Sequence, residues 1–388
     1  MRSNSNVVRA KLLILYLTLA LSFLISCNKP PSPPAELKVG VFVYNRDKAQ
    51  TCCGEATFNI VNMIEKEVEE AGGIIVGGKR VALRISTVGI DNNPEEAVNA
   101  AEHLINQKGV HVLIGPQHSG DAIPVAEIAQ SSGILMISPM STNPGTTAGK
   151  DHVFRIGFLD DFQGEVLATF AYRNLAVRRA AILYDISRPY NRGIAERFSS
   201  RFTLFGGTVV ASQTYLSGQE EFSSQLAAIR EADPELILLP NHNNDVLIQG
   251  PQIRDQGLNV ILLGTDAWDE LQLASIPGFD NAYKVSHWSE TVDSEANRKF
   301  VKEYKTLFGE APNNTAALTY DAFQILFQAA AAAGSTEPAD LVKALYELPP
   351  YPGLSGLIDY PVSGDPAKSA VVLQLSRGKI TFVKMYQP

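Results

Sequence analysis

Residues 110–144 read VHVLIGPQHSGDAIPVAEIAQSSGILMISPMSTNP. Two uninterrupted apolar runs, VHVLIG and GILMIS, flank a segment from Asp121 to Gln130 whose apolar residues recur at helical spacing. A short, wholly apolar run fits a strand buried on both faces, so the stretch reads as strand, helix, parallel strand. Each run stops abruptly in hydroxyls and glycine or proline, with no charge. The first breaks at Ser119-Gly120 and the second at Met140-Ser141-Thr142 before Asn143-Pro144. In open α/β sheets, ligands bind beyond the carboxyl ends of the strands, so two such loops after consecutive strands suggest half of a binding site.

The same alternation extends in both directions. LKVGVFVY (37–44) and VALRISTVG (81–89) are further strands, separated by a helix from Gly54 to Ala71 that stops at Gly72-Gly73. A helix opens at Asn93-Pro94. A second series begins near Asp160, with strands AAILYD (180–185), TVVASQTY (208–215), ELILLP (235–240) and VILLGTD (260–266), and helices between them. The expected fold class is therefore α/β, with two doubly wound lobes on parallel-sheet cores. Long helices at 314–333 and 338–348 arrive after the second sheet is complete. They find room most simply on the first, which requires the chain to cross between lobes more than once through a hinge. The expected division is 37–159 plus 285–353 for lobe 1 and 160–284 plus 354–388 for lobe 2. Arg377-Gly378, between alternating strands, signals a closing hairpin.

Composition narrows the function. The 388 residues suggest two domains, and 45% hydrophobic with 19% charged residues is ordinary for a globular protein. Lys and Arg number 33 against 41 Asp and Glu; without the three leader cations the balance is 30 to 41, or −11. Such a surface repels a phosphate backbone, which argues against nucleic acid as a partner. Arg2, Arg9 and Lys11 precede an apolar run, Leu12 to Ile25, that is short for a membrane span. It ends in Leu24-Ile25-Ser26-Cys27, which resembles the bacterial lipobox, so 1–26 is expected to be a lipoprotein signal peptide and Cys27 the lipidated residue. The proline-rich stretch 27–36 would then be a stiff spacer holding the protein outside the cytoplasmic membrane. The two other cysteines, Cys52 and Cys53, are adjacent and are either two thiols or a strained vicinal disulfide.

Signs of catalysis are absent. No Gly-x-Ser-x-Gly, Walker loop or Gly-x-Gly-x-x-Gly follows a strand, and the six histidines lack paired metal spacing. No enzyme activity, cofactor or metal is expected. The strand-end residues combine hydroxyls and N–H donors on one lobe with Tyr190 and Asp266 on the other, a set complementary to a zwitterion. Taken singly they have plainer readings: Ser119 as a helix cap, Thr142 as turn chemistry, Tyr190 as packing, Asp266 as support for the Gly264 turn.

KVGVFV, GEATFNIVNMIEKEVEEAGGI, VLIGPQHSGDAIPVAEIAQSSGILMISPMSTNP and FRIGFLDDFQGEVLA together resemble the Leu/Ile/Val-binding-protein family, from Leu37 to the terminal hairpin. These are type I periplasmic binding proteins that deliver amino acids to ABC importers. The resemblance implies a carboxylate clamp at Ser119 and Thr142, in a turn shared with Ser141, and a Met140 carbonyl facing the ligand's ammonium. It implies a Tyr190 contact from the second lobe and an Asp266 partner for the ammonium. His242 and Cys53 stand where branched-chain binders carry aromatics, and the family disulfide near the clamp has no counterpart, His118 lying beside Ser119. The implied protein is a monomeric, lipid-anchored, extracytoplasmic binder that closes on an amino acid and passes it to an ABC permease. The alternatives are a ligand sensor of the same fold, or a binder of amides, urea-like solutes or aromatic acids.

Overall fold

The structure, a computed structural model, describes residues 36–45 and 52–388. The expected leader, Cys27 and almost all of the spacer lie outside the described residues.

The first lobe begins with β1 (Glu36–Tyr44), α1 (Cys52–Ala71), β2 (Ile74–Val76), β3 (Lys79–Ile90), α2 (Pro94–His103), β4 (Val112–Ile114), α3 (Ser119–Ser132), β5 (Leu135–Ser138) and β6 (Val153–Arg155). The second carries α4 (Asp160–Thr169), β7 (Arg179–Asp185), α5 (Pro189–Leu204), β8 (Thr208–Tyr215), α6 (Ser223–Glu231), β9 (Leu236–Leu239), α7 (Asn243–Asp255), β10 (Ile261–Gly264), α8 (Glu270–Leu273) and β11 (Ala282–Ser286). The chain then returns through α9 (Glu295–Phe308), α10 (Asn314–Ala333), α11 (Pro338–Glu347) and the small hairpin β12 (Tyr351–Gly353) and β13 (Gly356–Ile358). It ends on β14 (Ala370–Ser376) and β15 (Lys379–Tyr386).

The six-stranded sheet has order β2-β3-β1-β4-β5-β6 and the seven-stranded sheet β15-β14-β11-β10-β9-β7-β8. β1, β4, β5 and β6 pair in parallel, as do β8, β7, β9, β10 and β11. The apolar runs explain this. Along β9, Leu236 and Leu238 enter one core and Ile237 and Leu239 another, so both faces of the sheet are covered. Along β4, Val112 and Ile114 do the same against Leu113. Strands that bury both faces have no polar side to show water, which is why they read as unbroken hydrophobic runs.

The apolar faces of α9, α10 and α11 (Phe300, Leu318, Phe323 and Leu341 among them) close the first lobe's core. Two boundaries differ from the sequence expectation. Val285 and Ser286 lie in β11, paired with β14 of the second sheet, so the crossing falls at His287. Leu354, Ile358 and Tyr360 pack on the first core, so the last crossing lies between 361 and 369. Crossings near 156–160, 287 and 361–369 thus join the two lobes. The tail hairpin turns on Arg377 (φ +50°) and Gly378 (φ +74°), the left-handed pair that a two-residue turn requires.

Both sheets have a point where strand order reverses, between β1 and β4 in the first and between β7 and β9 in the second. The segments that leave these four strands carry Cys53, Ser119, Tyr190 and His242.

Candidate functional site

These four residues, with Met140 after β5 and Asp266 after β10, line one cavity between the lobes. Its empty space amounts to ≈ 740 Å³, open solvent at its mouth included. Helices α3, α5, α7 and α10 are among those that begin at its wall. Ser119, Asn243 and Asn314 are the first residues of α3, α7 and α10, and Tyr190 is the second of α5. The leading N–H groups of a helix have no intrahelical acceptor and carry the positive end of its dipole, so the cavity favours an anionic group.

On the first lobe, the clamp loop is organised from below. Arg155, fully buried, donates from Nη1 to the Ser141 carbonyl (2.6 Å), from Nη2 to the Asn143 carbonyl (2.9 Å) and Thr147 Oγ1 (2.6 Å), and from Nε to Asp365 (2.6 Å). Ser119 Oγ accepts from Ser141 Oγ (3.0 Å) and from the Asn143 N–H (3.3 Å). Two of the expected contacts, Ser141 and Thr142, are not among the residues that line the cavity, and the Thr142 hydroxyl is buried without a hydrogen-bond partner. Ser141 is buried behind the wall, its hydroxyl shared between Ser119 and Thr146, so it orients Ser119 without reaching the cavity. Thr142 is fully buried and likewise not part of the lining; its carbonyl accepts from the Asp160 N–H at 2.9 Å, tying the loop to α4 across the first crossing.

On the second lobe, Asp266 is held by more partners than its sequence neighbourhood suggests. Oδ1 accepts from Tyr190 Oη (2.6 Å) and Gln163 Nε2 (2.7 Å), and Oδ2 faces His287 Nε2 at 3.1 Å. Burial pushes this carboxyl up, but His287, Tyr190 and Gln163 outweigh it and hold Asp266 below the ordinary carboxylate value. It is therefore ionised, with one acceptor position left on Oδ2. The loop carrying it is fixed by Gly264. A Cβ there would sit 2.1 Å from the Trp268 ring, which is itself anchored by Nε1 donating to the Leu239 carbonyl (3.1 Å). Gln163 and His287 escape local sequence reasoning because they act 103 and 21 positions from Asp266. Their signals were the Asp-x-x-Gln of FLDDFQG and a histidine just past a strand end.

Asp160, at the first crossing, is 2% exposed and neither carboxyl oxygen has a hydrogen-bond partner. Burial raises it to about 7, against the lowering influence of neighbouring Thr142, Arg155 and Asn143.

A column of rings spans the lobes. Tyr44 packs tilted against His118 (4.3 Å) and His118 against His242 (4.4 Å), while His242 stacks on Tyr190 (5.5 Å). Arg188 Nη1 donates to Asn92 Oδ1 (2.9 Å), so that oxygen is an acceptor; His118 Nδ1, 3.0 Å from it, must then carry a proton. Burial, together with the neighbouring His118 and Arg188, lowers His242 well below the ordinary histidine value and keeps it neutral. Cys53 is a buried residue whose Sγ lies 3.9 Å from His118 Nε2 and 3.5 Å from Thr315 Oγ1.

Comparison with known proteins follows the same outline. The family model described as periplasmic binding protein matches residues 36–379. Leu/Ile/Val-binding protein homolog 1 of Brucella abortus is 30% identical over 311 residues, 79% of this chain and 82% of that protein. Two solved structures superpose closely. The leucine-binding protein LivK of Thermotoga maritima has TM-score 0.81 and 27% identity, covering 91% of this chain and 99% of that one. LivJ of Streptococcus pneumoniae, a branched-chain amino acid transporter substrate-binding protein in complex with isoleucine, has TM-score 0.82 and 26% identity, covering 91% and 100%.

Proposed function

The chain belongs to the periplasmic binding protein family, and from that premise we propose that it captures an α-amino acid between its lobes and presents it to an ABC importer. Membership in a family of solute-binding proteins makes it a binder and not an enzyme. One arrangement carries the amino-acid reading: the N-termini of α3, α5, α7 and α10 face a cavity that also contains the ionised Asp266. Positive helix ends and the Ser119 hydroxyl suit a carboxylate, and the remaining acceptor position on Asp266 suits an ammonium. The named ligands of the LivK and LivJ relatives are amino acids, which supports the same class.

Capture proceeds by closure. A ligand first engages Ser119 and the Met140 carbonyl on the first lobe. Rotation about the three crossings brings Tyr190, His242 and Asp266 against it and excludes water. A charge-assisted hydrogen bond is worth about 1.5–3 kcal/mol net, so three or four, less the cost of ordering the ligand, reach roughly −8 kcal/mol, or micromolar affinity. The closed form then differs from the open one in the surface shown to a permease, which is how ligand state is reported. We assign lobe 1 to 37–159 plus the return segment, and lobe 2 to 160–286 plus the terminal hairpin. Lipid at Cys27 would tether the monomer in the cell envelope.

Calorimetry on the mature protein tests the reading with a panel of α-amino acids beside benzoate, acetamide and urea. Micromolar binding of at least one amino acid is expected. Binding of solutes that lack an α-ammonium group, with no amino acid bound, refutes it. Transport is separated from sensing by uptake of the labelled ligand in cells lacking this protein. Loss restored by the wild-type gene supports importer delivery, and unchanged uptake favours a sensor.

A further inference from the structure

Resting on the amino-acid reading above, we propose that the ligand's side chain ends in a carboxamide or ureido group, recognised by a wall of amide side chains in the cavity. Among the described residues that line it there is no Leu, Ile, Val or Phe. Asn92, Gln117, Asn243, Asn244, Asn313 and Asn314 stand there instead.

Half of these amides are already committed. Asn92 bridges Arg188 and His118. Asn243 accepts from the Asp269 N–H (2.9 Å) and donates to Gln272 (2.6 Å), and Asn313 caps α10 through the Ala316 N–H (3.1 Å). The other three have polar atoms to spare. Gln117 Oε1, Asn244 Oδ1 and Asn314 Oδ1 are buried with no hydrogen-bond partner. Gln117 is 2% exposed, fixed through Nε2 to Thr57 Oγ1 (2.9 Å); Asn314 is 3% exposed, and its Nδ2 reaches only the Met140 thioether at 4.0 Å. A buried amide oxygen left unmatched costs more than its hydrogen bond would gain, so the wall penalises any ligand that cannot answer it.

The chemistry of the answer follows. An amide can turn over and exchange its oxygen for its NH₂, so a wall of amides is satisfied best by a group that both donates and accepts. An aliphatic side chain does neither, a guanidinium only donates and a carboxylate only accepts. Charge agrees with a neutral ligand group. Glu270 is paired with Lys284 at 2.6 Å, Asp269 accepts from the Leu271 and Gln272 N–H groups, and Asp266 has its three partners. No lining carboxylate is left needing a cationic side chain.

Calorimetry with glutamine, asparagine and citrulline against leucine, arginine and glutamate decides it. At least one of the first three is expected to bind tenfold or more tighter than leucine. Leucine, arginine or glutamate binding as tightly as the best amide overturns this proposal and leaves the amino-acid reading standing. Binding to none of these six overturns this proposal and leaves the amino-acid reading to the wider panel, whereas binding only to benzoate, acetamide or urea, with no amino acid of that panel bound, overturns both. Two variants sharpen the test, each checked for folding by thermal unfolding without ligand. Asn314→Leu is expected to lose glutamine at least tenfold while gaining leucine, and Asn244→Ala, on a half-buried residue, to lose glutamine alone. If both fold and the glutamine-to-leucine ratio stays put, the amide wall is not the specificity element.

Discussion

Arg155 Nη1 donates to the Ser141 carbonyl at 2.6 Å, and the remaining donors of the same guanidinium go to Asn143, Thr147 and Asp365. A single buried side chain at the end of β6 therefore holds the loop after β5, which carries Met140 and braces Ser119 through Ser141 and Asn143. Replacing it with methionine takes the donor from the Ser141 carbonyl and the ionic partner from Asp365, while the Asn143 carbonyl keeps the Thr146 N–H and Asp365 keeps the Thr147 hydroxyl. Removing one partner of a buried pair costs about 3–5 kcal/mol. Asp365 keeps some contact with water, so we expect the lower end of that range for Arg155→Met by urea denaturation. Ligand affinity should fall with it, and Arg155→Lys should recover only part of both. Wild-type affinity in the methionine variant would show that the loop holds its shape unaided.

Asp266 joins Tyr190, Gln163 and His287, so its removal by alanine leaves three buried partners without an acceptor. Asp266→Ala should lose about 2–4 kcal/mol of stability as well as binding, because unsatisfied buried polar groups are costly. Asp266→Asn keeps the shape and one acceptor oxygen, enough for Tyr190 and Gln163, but not the charge. It should fold nearly normally and bind an amino acid at least a hundredfold more weakly. Equal affinity in the asparagine variant would remove the ammonium role.

Asp160 supplies a pH prediction. Its carboxyl is held at about 7 by burial, whereas an unfolded aspartate titrates near 4. Between those values the folded protein keeps a proton that the unfolded chain releases. The group's stabilisation is therefore complete below about pH 4 and declines as pH rises to about 7, by up to about 1.4 kcal/mol per pH unit. Denaturation curves from pH 5 to 8 should show Asp160→Asn lacking this component. Parallel pH profiles for variant and wild type would discount it.

Arg188 reaches from the second lobe to Asn92 on the first, beside the His118–His242 pair. The contact joins the two lobes, so opening of the cleft should break it, and it is expected to bear on release more than on encounter. Arg188→Ala should raise the dissociation rate several-fold with little change in association, by stopped-flow fluorescence. An altered association rate alone would move Arg188 from latch to electrostatic guide.

Much of the architecture was legible because buried parallel strands advertise themselves. TVVASQTY coincides with β8 and 314–333 with α10. β2 and β6 are not legible in the sequence, because IIV stands between two glycine pairs and VFR ends in a charge. The boundary at 285 was misplaced because β11 resembles any short apolar strand, and its partner, β14, lies almost 90 residues away. In the site, Cys53, Ser119, Met140, Tyr190, His242 and Asp266 come together as strand-end positions should. Ser141 shows the limit of that reasoning. Its sequence neighbourhood does not show that its hydroxyl is shared between Ser119 and Thr146, contacts that only the folded loop creates.

The three crossings carry a consequence for handling the molecule. Neither lobe is a contiguous stretch of chain, so neither can be cut out at a single pair of termini and expected to fold. Conversely, a protease nick at any one crossing leaves two covalent tethers. Such a nicked protein should stay assembled under native conditions and come apart only in denaturant.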